Sequence, residues 1–162
     1  MTDKSAFTEE EWETLRRSPL VAGMAISLAD PGGPIEVLKE TSAVMKVVTE
    51  AATERDDVVG AVAKDVREQA QARHNPVGDF KPRGATAAKE ILDEVGRAGQ
   101  IAEAKADPAE AQAFKEWLLE CSQRAADAAK EGGFMGFKAV QVSEGEQKML
   151  EEVRKALGLS AA

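Results

Sequence analysis

Apolar residues recur every three or four positions along almost the whole chain, which is the spacing of an amphipathic helix. No stretch of useful length alternates strictly between apolar and polar residues, as a half-buried strand would. Residues 58–62 are rich in valine and come nearest to a strand, but their apolar positions belong to a helical series. That series is Val59, Val62, Val66 and Ala70. The pattern therefore predicts an all-α fold.

Caps and helix breakers divide this pattern into about seven helices. Thr8 is a suitable N-cap for the first, because three glutamates follow it and the helix dipole favours anions in the first turn. Ser18 and Pro19 predict the start of a second helix, because proline has no N–H to lose at a first helical position. The first 29 residues are thus expected to form two helices.

The later helices have clearer boundaries. Asp107 and Pro108 supply a cap and a first helical residue. Ser143 and Glu146 form the S-x-x-E capping box, in which each side chain accepts a hydrogen bond from the other residue's backbone N–H. Wide apolar faces place the long helices that start near Ile35 and Pro108 in the core of one compact bundle.

One domain is expected over residues 1–162, with residues 1–6 and 160–162 loose and a central loop at 74–84. A faint internal echo relates residues 29–40 to residues 106–116, since each contains Ala-Asp-Pro and a later Lys-Glu pair. An old duplication of a helical unit would produce this echo. Repeated use of Asp-Pro as helix-start chemistry would produce it equally well, so both interpretations stay open.

The composition agrees with close-packed helices, because the chain has 29 alanines, no tyrosine and only 4% aromatic residues. With 43% hydrophobic and 31% charged residues, it lies outside the range typical of disordered proteins. A net charge of -8 argues against nucleic acid as a partner, since phosphate binding needs clustered lysine and arginine. A protein partner or a homo-oligomer stays open.

The sequence near Met1 does not show the basic-then-apolar order of a secretory signal. The longest apolar run, residues 19–29, is about half the length that a helix needs to cross a bilayer. We therefore expect a soluble cytoplasmic protein without a transmembrane segment.

Acidic residues at helix boundaries form the first candidate site. They are Asp30, Glu36, Glu40, Glu144 and Glu146. Oxygen ligands from a loop and a first helical turn suit a hard divalent cation such as Ca²⁺ or Mg²⁺. The alternative is simple helix capping, because the chain lacks the alternating acidic spacing of an EF-hand loop. Asp30 and Glu146 are the candidate metal ligands, and no other cofactor is indicated.

A reversal of charge in the central loop is the second candidate site. This loop contains one acid, Asp79, and four basic residues: Arg73, His74, Lys81 and Arg83. Such a cluster could hold a phosphate, a carboxylate or an acidic partner. The alternative is a solvated connector, in which Phe80 anchors the loop to the core.

The third candidate is the apolar, glycine-rich segment at residues 132–137. Phe134, Met135 and Phe137 would form a contact surface for a partner or a lipid if they were exposed. If the segment folds back, the same side chains would close the open end of the bundle. No G-K-[ST] follows the glycines, so the segment is not a phosphate-binding loop.

Catalytic motifs are scarce in the sequence. It contains no G-x-S-x-G, no H-E-x-x-H and no G-x-G-x-x-G. The single cysteine, Cys121, cannot form an internal disulfide and falls in an apolar stripe, where a thiol is inert. The single histidine, His74, is expected to be an exposed loop residue rather than a lone general base. We expect a protein that is not an enzyme.

Short motifs at both ends of the chain resemble the tellurite-resistance B-like (TerB-like) helical domains. The matching residues are Ala29-Asp30 with Gly32, Ile35 and Glu36, then Val142-Ser143-x-x-Glu146 and Leu157-Gly158-Leu159. Pro31 departs from that pattern, because the family has glycine directly after the aspartate. The resemblance implies an all-α, stress-associated and cation-binding accessory module, with Asp30 and Glu146 at positions that are acidic in the family.

Three functional hypotheses follow from these observations. The first is a non-enzymatic, TerB-like binding module that engages a cation or a protein partner. The second is a binding protein for a small anion or phosphometabolite, built on the basic central loop. The third is a helical oligomer with a structural role.

Overall fold

A computed structural model describes residues 1–130 and 142–161, and these residues form six α-helices and no strand. The prediction of an all-α bundle is confirmed. The helices are α1 (Glu9–Ala29), α2 (Pro34–Glu54), α3 (Val58–Gln71), α4 (Ala87–Lys105), α5 (Pro108–Lys130) and α6 (Glu144–Ala156). Short 3-10 turns cover Lys4–Ala6 and Gly84–Thr86.

The predicted helix start at Pro19 is wrong, because α1 continues through this residue without a break. Proline has no N–H for the carbonyl of Leu15, four residues earlier, which would leave that acceptor unpaired. The hydroxyl of Ser18, a buried residue, donates to the Leu15 carbonyl at 2.7 Å. This bond supplies the missing donor, so two expected helices are one and the described part of the chain has six helices rather than seven.

Side chains cap α1 and α6 where the sequence predicts, and a further cap is present at α3. Thr8 and Glu11 form a capping box at α1, and Ser143 and Glu146 form one at α6. Asp57 caps α3, because its carboxylate accepts from the Gly60 N–H at 3.1 Å. These short motifs depend only on neighbouring residues, which is why the sequence reveals them.

Helices α1 and α5 form the centre of the bundle, and each packs against all five other helices. Helix α2 lies to one side, chiefly against α1, α3 and α5, so α1 occupies the central place expected for α2. The first turn of α2 is exposed, and Ile35 and Leu38 are each 67% accessible. The largest fully buried side chains are Phe114, Leu15, Ile26 and Leu118, among many valines.

The internal echo in the sequence has no common structural counterpart. Asp30 is the C-cap of α1, and α2 begins only at Pro34. Asp107, in contrast, directly precedes the first residue of α5. The two Asp-Pro pairs therefore have different structural roles, because the first follows the end of one helix and the second lies at the start of another. The duplication stays an interpretation of the sequence alone.

Candidate functional site

A cavity of about 440 Å³ lies between α1, α2 and the turn that follows α3. Its wall is mostly apolar, and four polar residues line it: Ser27, Glu40, Thr41 and Asn75. The other lining residues are Leu20, Gly23, Met24, Val37, Val44, Met45, Ala70, Pro76 and Val77. Volumes of this size are typical of sites for small organic ligands.

Close contact between α1 and α2 forms one wall of this cavity. Gly23 of α1 has no side chain, and a Cβ atom there would lie 2.8 Å from Cγ2 of Val44. The two helix backbones can therefore approach more closely than any larger residue would allow. One turn farther along α1, Ser27 faces Glu40 of α2 across the same interface.

Glu40 is a buried carboxyl group that lines the cavity and is only 2% exposed. The Ser27 hydroxyl donates a hydrogen bond to its Oε2 atom. Within the described residues, its Oε1 atom accepts no hydrogen bond. Burial raises the pKa of Glu40; the Ser27 hydrogen bond opposes that shift, and the charges of nearby acids add to it. Those acids are Glu146, Asp30 and Glu36.

The two predicted cation ligands, Asp30 and Glu146, both lie near Glu40, because the charge of each raises the pKa of Glu40. Asp30 is exposed at the end of α1. Glu146 is only 3% exposed, and its carboxylate accepts the Ser143 backbone N–H at 2.9 Å as part of the α6 capping box. In residues 1–130 and 142–161, no three His, Cys, Asp or Glu side chains are grouped closely enough to hold a metal ion. The cation site stays a prediction.

The structure separates the predicted basic cluster into two parts. Lys81 and Arg83 line a second pocket of about 490 Å³ on the other side of the 75–77 turn. Arg73 and His74 follow the end of α3 and do not line this pocket. All four side chains are exposed, and none forms an ion pair with another described residue.

Arg73 has a left-handed backbone with φ of 61°, which is uncommon for a residue other than glycine. It ends α3 in a Schellman motif, in which the His74 N–H bonds to the Gln69 carbonyl at 2.9 Å. The same motif ends α6 with Gly158 at φ of 64°. The sequence gives no glycine at the end of α3, so this turn was not predictable from composition.

Phe80 fixes the central loop as expected. Its ring packs against the core, and the Arg17 guanidinium lies 5.8 Å from the ring centroid. Val77 is buried beside it and contributes to both pockets. The loop thus forms a wall between two pockets. Met24, Ser27 and Asn75 also line both of them.

Two further predictions concern Cys121 and the apolar segment. Cys121 is fully buried, and burial raises the pKa of its thiol far above the ordinary value, so the thiolate is disfavoured. The predicted contact residues Phe134, Met135 and Phe137 lie outside the described residues.

Glu40 was expected as an acid near a helix boundary and not as an inward-facing residue. The available signal was its spacing, because Glu40 stands one helical turn before Val44 and two turns before Val47. All three are buried on one face of α2. A carboxyl group on an apolar helical stripe is a stronger indication of a site than an acid near a helix end.

Comparisons with known proteins add no family assignment. No protein-family model matches the chain, and no curated protein and no solved structure matches it either. The TerB-like resemblance therefore stays a prediction. Across the described residues, no helix combines the length and the apolar character that crossing a membrane requires.

Proposed function

We propose that this protein is a non-enzymatic binding module that holds a small, largely apolar molecule in the cavity between α1 and α2. The observation that carries this proposal is the cavity itself, with about 440 Å³ of space and a mostly apolar wall. Pockets of this kind typically combine apolar walls with a few polar groups that orient the ligand. Glu40 and Ser27 are such groups here.

A blocking variant tests the proposal. Thr41 lines the cavity and is exposed, so Thr41→Trp places a large side chain across it. Thr49 is a matched control, because it is also an exposed threonine of α2 outside the cavity lining. In both residues the hydroxyl donates to the carbonyl four residues earlier at 2.8 Å. The two substitutions therefore remove equivalent local bonds.

The probe is n-octanol, and the readout is the melting temperature followed by circular dichroism. A ligand that binds only the folded state raises this temperature. We expect a rise for the wild type and Thr49→Trp and little or none for Thr41→Trp. No rise in the wild type, or the same rise in all three proteins, would refute the proposal. If Thr41→Trp does not fold, Val37→Trp blocks the cavity from another lining position.

We include the TerB-like, cation-binding role in this proposal, together with a cytoplasmic location. Support for the cation comes from the acidic groups whose charges act on Glu40, namely Asp30, Glu36 and Glu146. Carboxylate oxygens are suitable ligands for Ca²⁺, Mg²⁺ or Mn²⁺. Calorimetric titration with each metal tests it: no heat and no change in melting temperature at saturating metal would remove the cation from the proposal. Cell fractionation tests the location.

A second candidate function is the binding of a small anion at Lys81 and Arg83. It is favoured by one observation, namely that these two cations share the second pocket and neither forms an ion pair with a described residue. Inorganic phosphate should raise the melting temperature of the wild type, and the rise should disappear in a Lys81→Ala, Arg83→Ala double variant. A variant with Arg73→Ala keeps the rise if the anion occupies this pocket, because Arg73 does not line it.

The third candidate, a structural oligomer, is favoured by the exposed apolar first turn of α2. Ile35 and Leu38 are each 67% accessible, which is unusual for side chains of this kind so close together. Light scattering coupled to size exclusion measures the mass in solution. A mass of about 17.3 kDa is that of the monomer and would exclude this candidate.

A further inference from the structure

We infer that the cavity selects a medium-chain primary alkylammonium ion, with the chain against the apolar wall and the ammonium group on Glu40. The inference rests on the proposed binding function and adds the chemical class of the ligand. It follows from the hydrogen bonding of Glu40, from the charges around it and from the composition of the wall.

Glu40 has the geometry of an acceptor with one free oxygen. Its side chain is nearly excluded from solvent, and Ser27 engages only Oε2. Among the described residues, no donor reaches Oε1. An ammonium group carries three donors and forms charge-assisted hydrogen bonds with a carboxylate. The ammonium group of the ligand would therefore supply Oε1 with the hydrogen-bond donor that the described residues do not provide.

The surrounding charges favour a cation over an anion. Three further acids act on Glu40, and each disfavours its ionised form. A ligand carboxylate would add one more negative charge to this group, whereas an ammonium ion would offset the repulsion. Lys81 and Arg83 line the neighbouring pocket, and no lysine, arginine or histidine of the described residues lines this one. Electrostatic complementarity therefore favours a positively charged ligand.

The apolar wall accounts for the rest of the ligand. Leu20, Met24, Val44, Met45 and Val77 surround a space large enough for a chain of about eight carbons. Each methylene group that such a wall removes from water tightens binding by about fourfold. Chain length should therefore determine how tightly the ligand binds, while the ammonium group determines which class of ligand is preferred.

Three ligands of equal chain length test the inference: n-octylamine, n-octanol and octanoate. Their dissociation constants are measured by calorimetry at neutral pH, below the concentrations at which they form micelles. In the wild type, octylamine should bind about tenfold or more tightly than octanol, and octanoate should bind most weakly, as expected for a buried charge-assisted contact. Glu40→Gln should abolish the preference for octylamine and leave octanol binding within about twofold.

Glu50→Gln is the matched control, because it removes the same charge from an exposed position on the same helix. It should keep the preference for octylamine, which separates a contact with Glu40 from attraction to an acidic protein in general. If the Glu40→Gln variant does not fold, carbon NMR of the Glu40 carboxyl group in the wild type replaces it. Octylamine should then lower the pKa of this group, and an unchanged pKa would overturn the inference.

The outcomes separate this inference from the proposed function. If none of the three ligands binds, the proposed function fails. If octanol binds but octylamine binds no more tightly, the cavity is a ligand site and the ammonium inference is wrong. The same conclusion follows if Glu40→Gln and Glu50→Gln weaken octylamine binding equally.

Discussion

The contact between Gly23 and Val44 can be tested by a double-mutant cycle. The cycle compares the wild type, Gly23→Ala, Val44→Ala and the double variant. In the wild type a Cβ atom at position 23 would lie 2.8 Å from Cγ2 of Val44, which is closer than carbon atoms pack. Truncation of Val44 removes Cγ2, and the nearest remaining atom of that residue, its Cβ, would lie 3.8 Å away. That distance is an ordinary van der Waals contact.

The magnitudes follow from these distances. Alanine in place of a helical glycine stabilises by about 0.5–1 kcal/mol, whereas overpacking at a buried contact costs about 1–3 kcal/mol. Gly23→Ala alone should therefore lower the free energy of unfolding by about 0.5–2 kcal/mol. Val44→Ala deletes two buried carbons and should cost about 2 kcal/mol. In the Val44→Ala background, Gly23→Ala should instead stabilise by about 1 kcal/mol.

Urea denaturation followed by circular dichroism at 222 nm measures all four free energies, with the dependence on urea concentration unchanged across the set. The expected coupling free energy between the two substitutions is about 2 kcal/mol, so that the double variant is more stable than the sum of the two single effects predicts. Independent sites are additive within about 0.5 kcal/mol. A coupling below that limit, or a stabilising Gly23→Ala in the wild type, would show that α1 and α2 do not meet at these residues.

Further predictions concern pH, helix ends and the proline in α1. Because the pKa of Glu40 is raised above its ordinary value of 4.5, its contribution to stability is present below that value and is lost as the pH rises through the raised pKa. Glu40→Gln should therefore gain melting temperature relative to the wild type as the pH rises from acid to neutral, and a constant difference would contradict this. Arg73→Gly should stabilise by about 1 kcal/mol in urea denaturation, because glycine adopts a left-handed backbone without strain. Gly158→Ala should destabilise by a similar amount, and equal signs for the two variants would argue against the shared motif. Ser18→Ala should cost about 1–3 kcal/mol in the same assay, because it leaves the Leu15 carbonyl buried without a donor; a neutral result would remove that explanation for the unbroken helix.

The sequence predicted those parts of the fold that depend on neighbouring residues. Caps at Thr8 and Ser143 were predictable because each involves residues at most three positions apart. The continuity of α1 was not, since it depends on the rotamer of Ser18 inside a packed core. Local rules alone favour a helix start at Pro19.

The candidate site was only partly predictable for a related reason. Asp30, Glu36, Glu40 and Glu146 were recognised as acids, and the structure brings their charges within reach of one another. The cavity beside them depends on how α1 and α2 approach each other, which the sequence expresses only through a single glycine. Lys81 and Arg83 share a pocket that Arg73 and His74 do not line, a separation that depends on tertiary packing rather than on position along the chain.

The wall between the two pockets has a thermodynamic consequence. Met24, Ser27, Asn75 and Val77 each face both spaces, so a molecule that displaces any of them on one side alters the shape of the other side. Occupancy of the two pockets is then linked, and linkage is reciprocal. Whatever factor phosphate imposes on the affinity for octylamine, octylamine must impose on the affinity for phosphate. The response of one binding protein to either molecule would in this way depend on the concentration of the other.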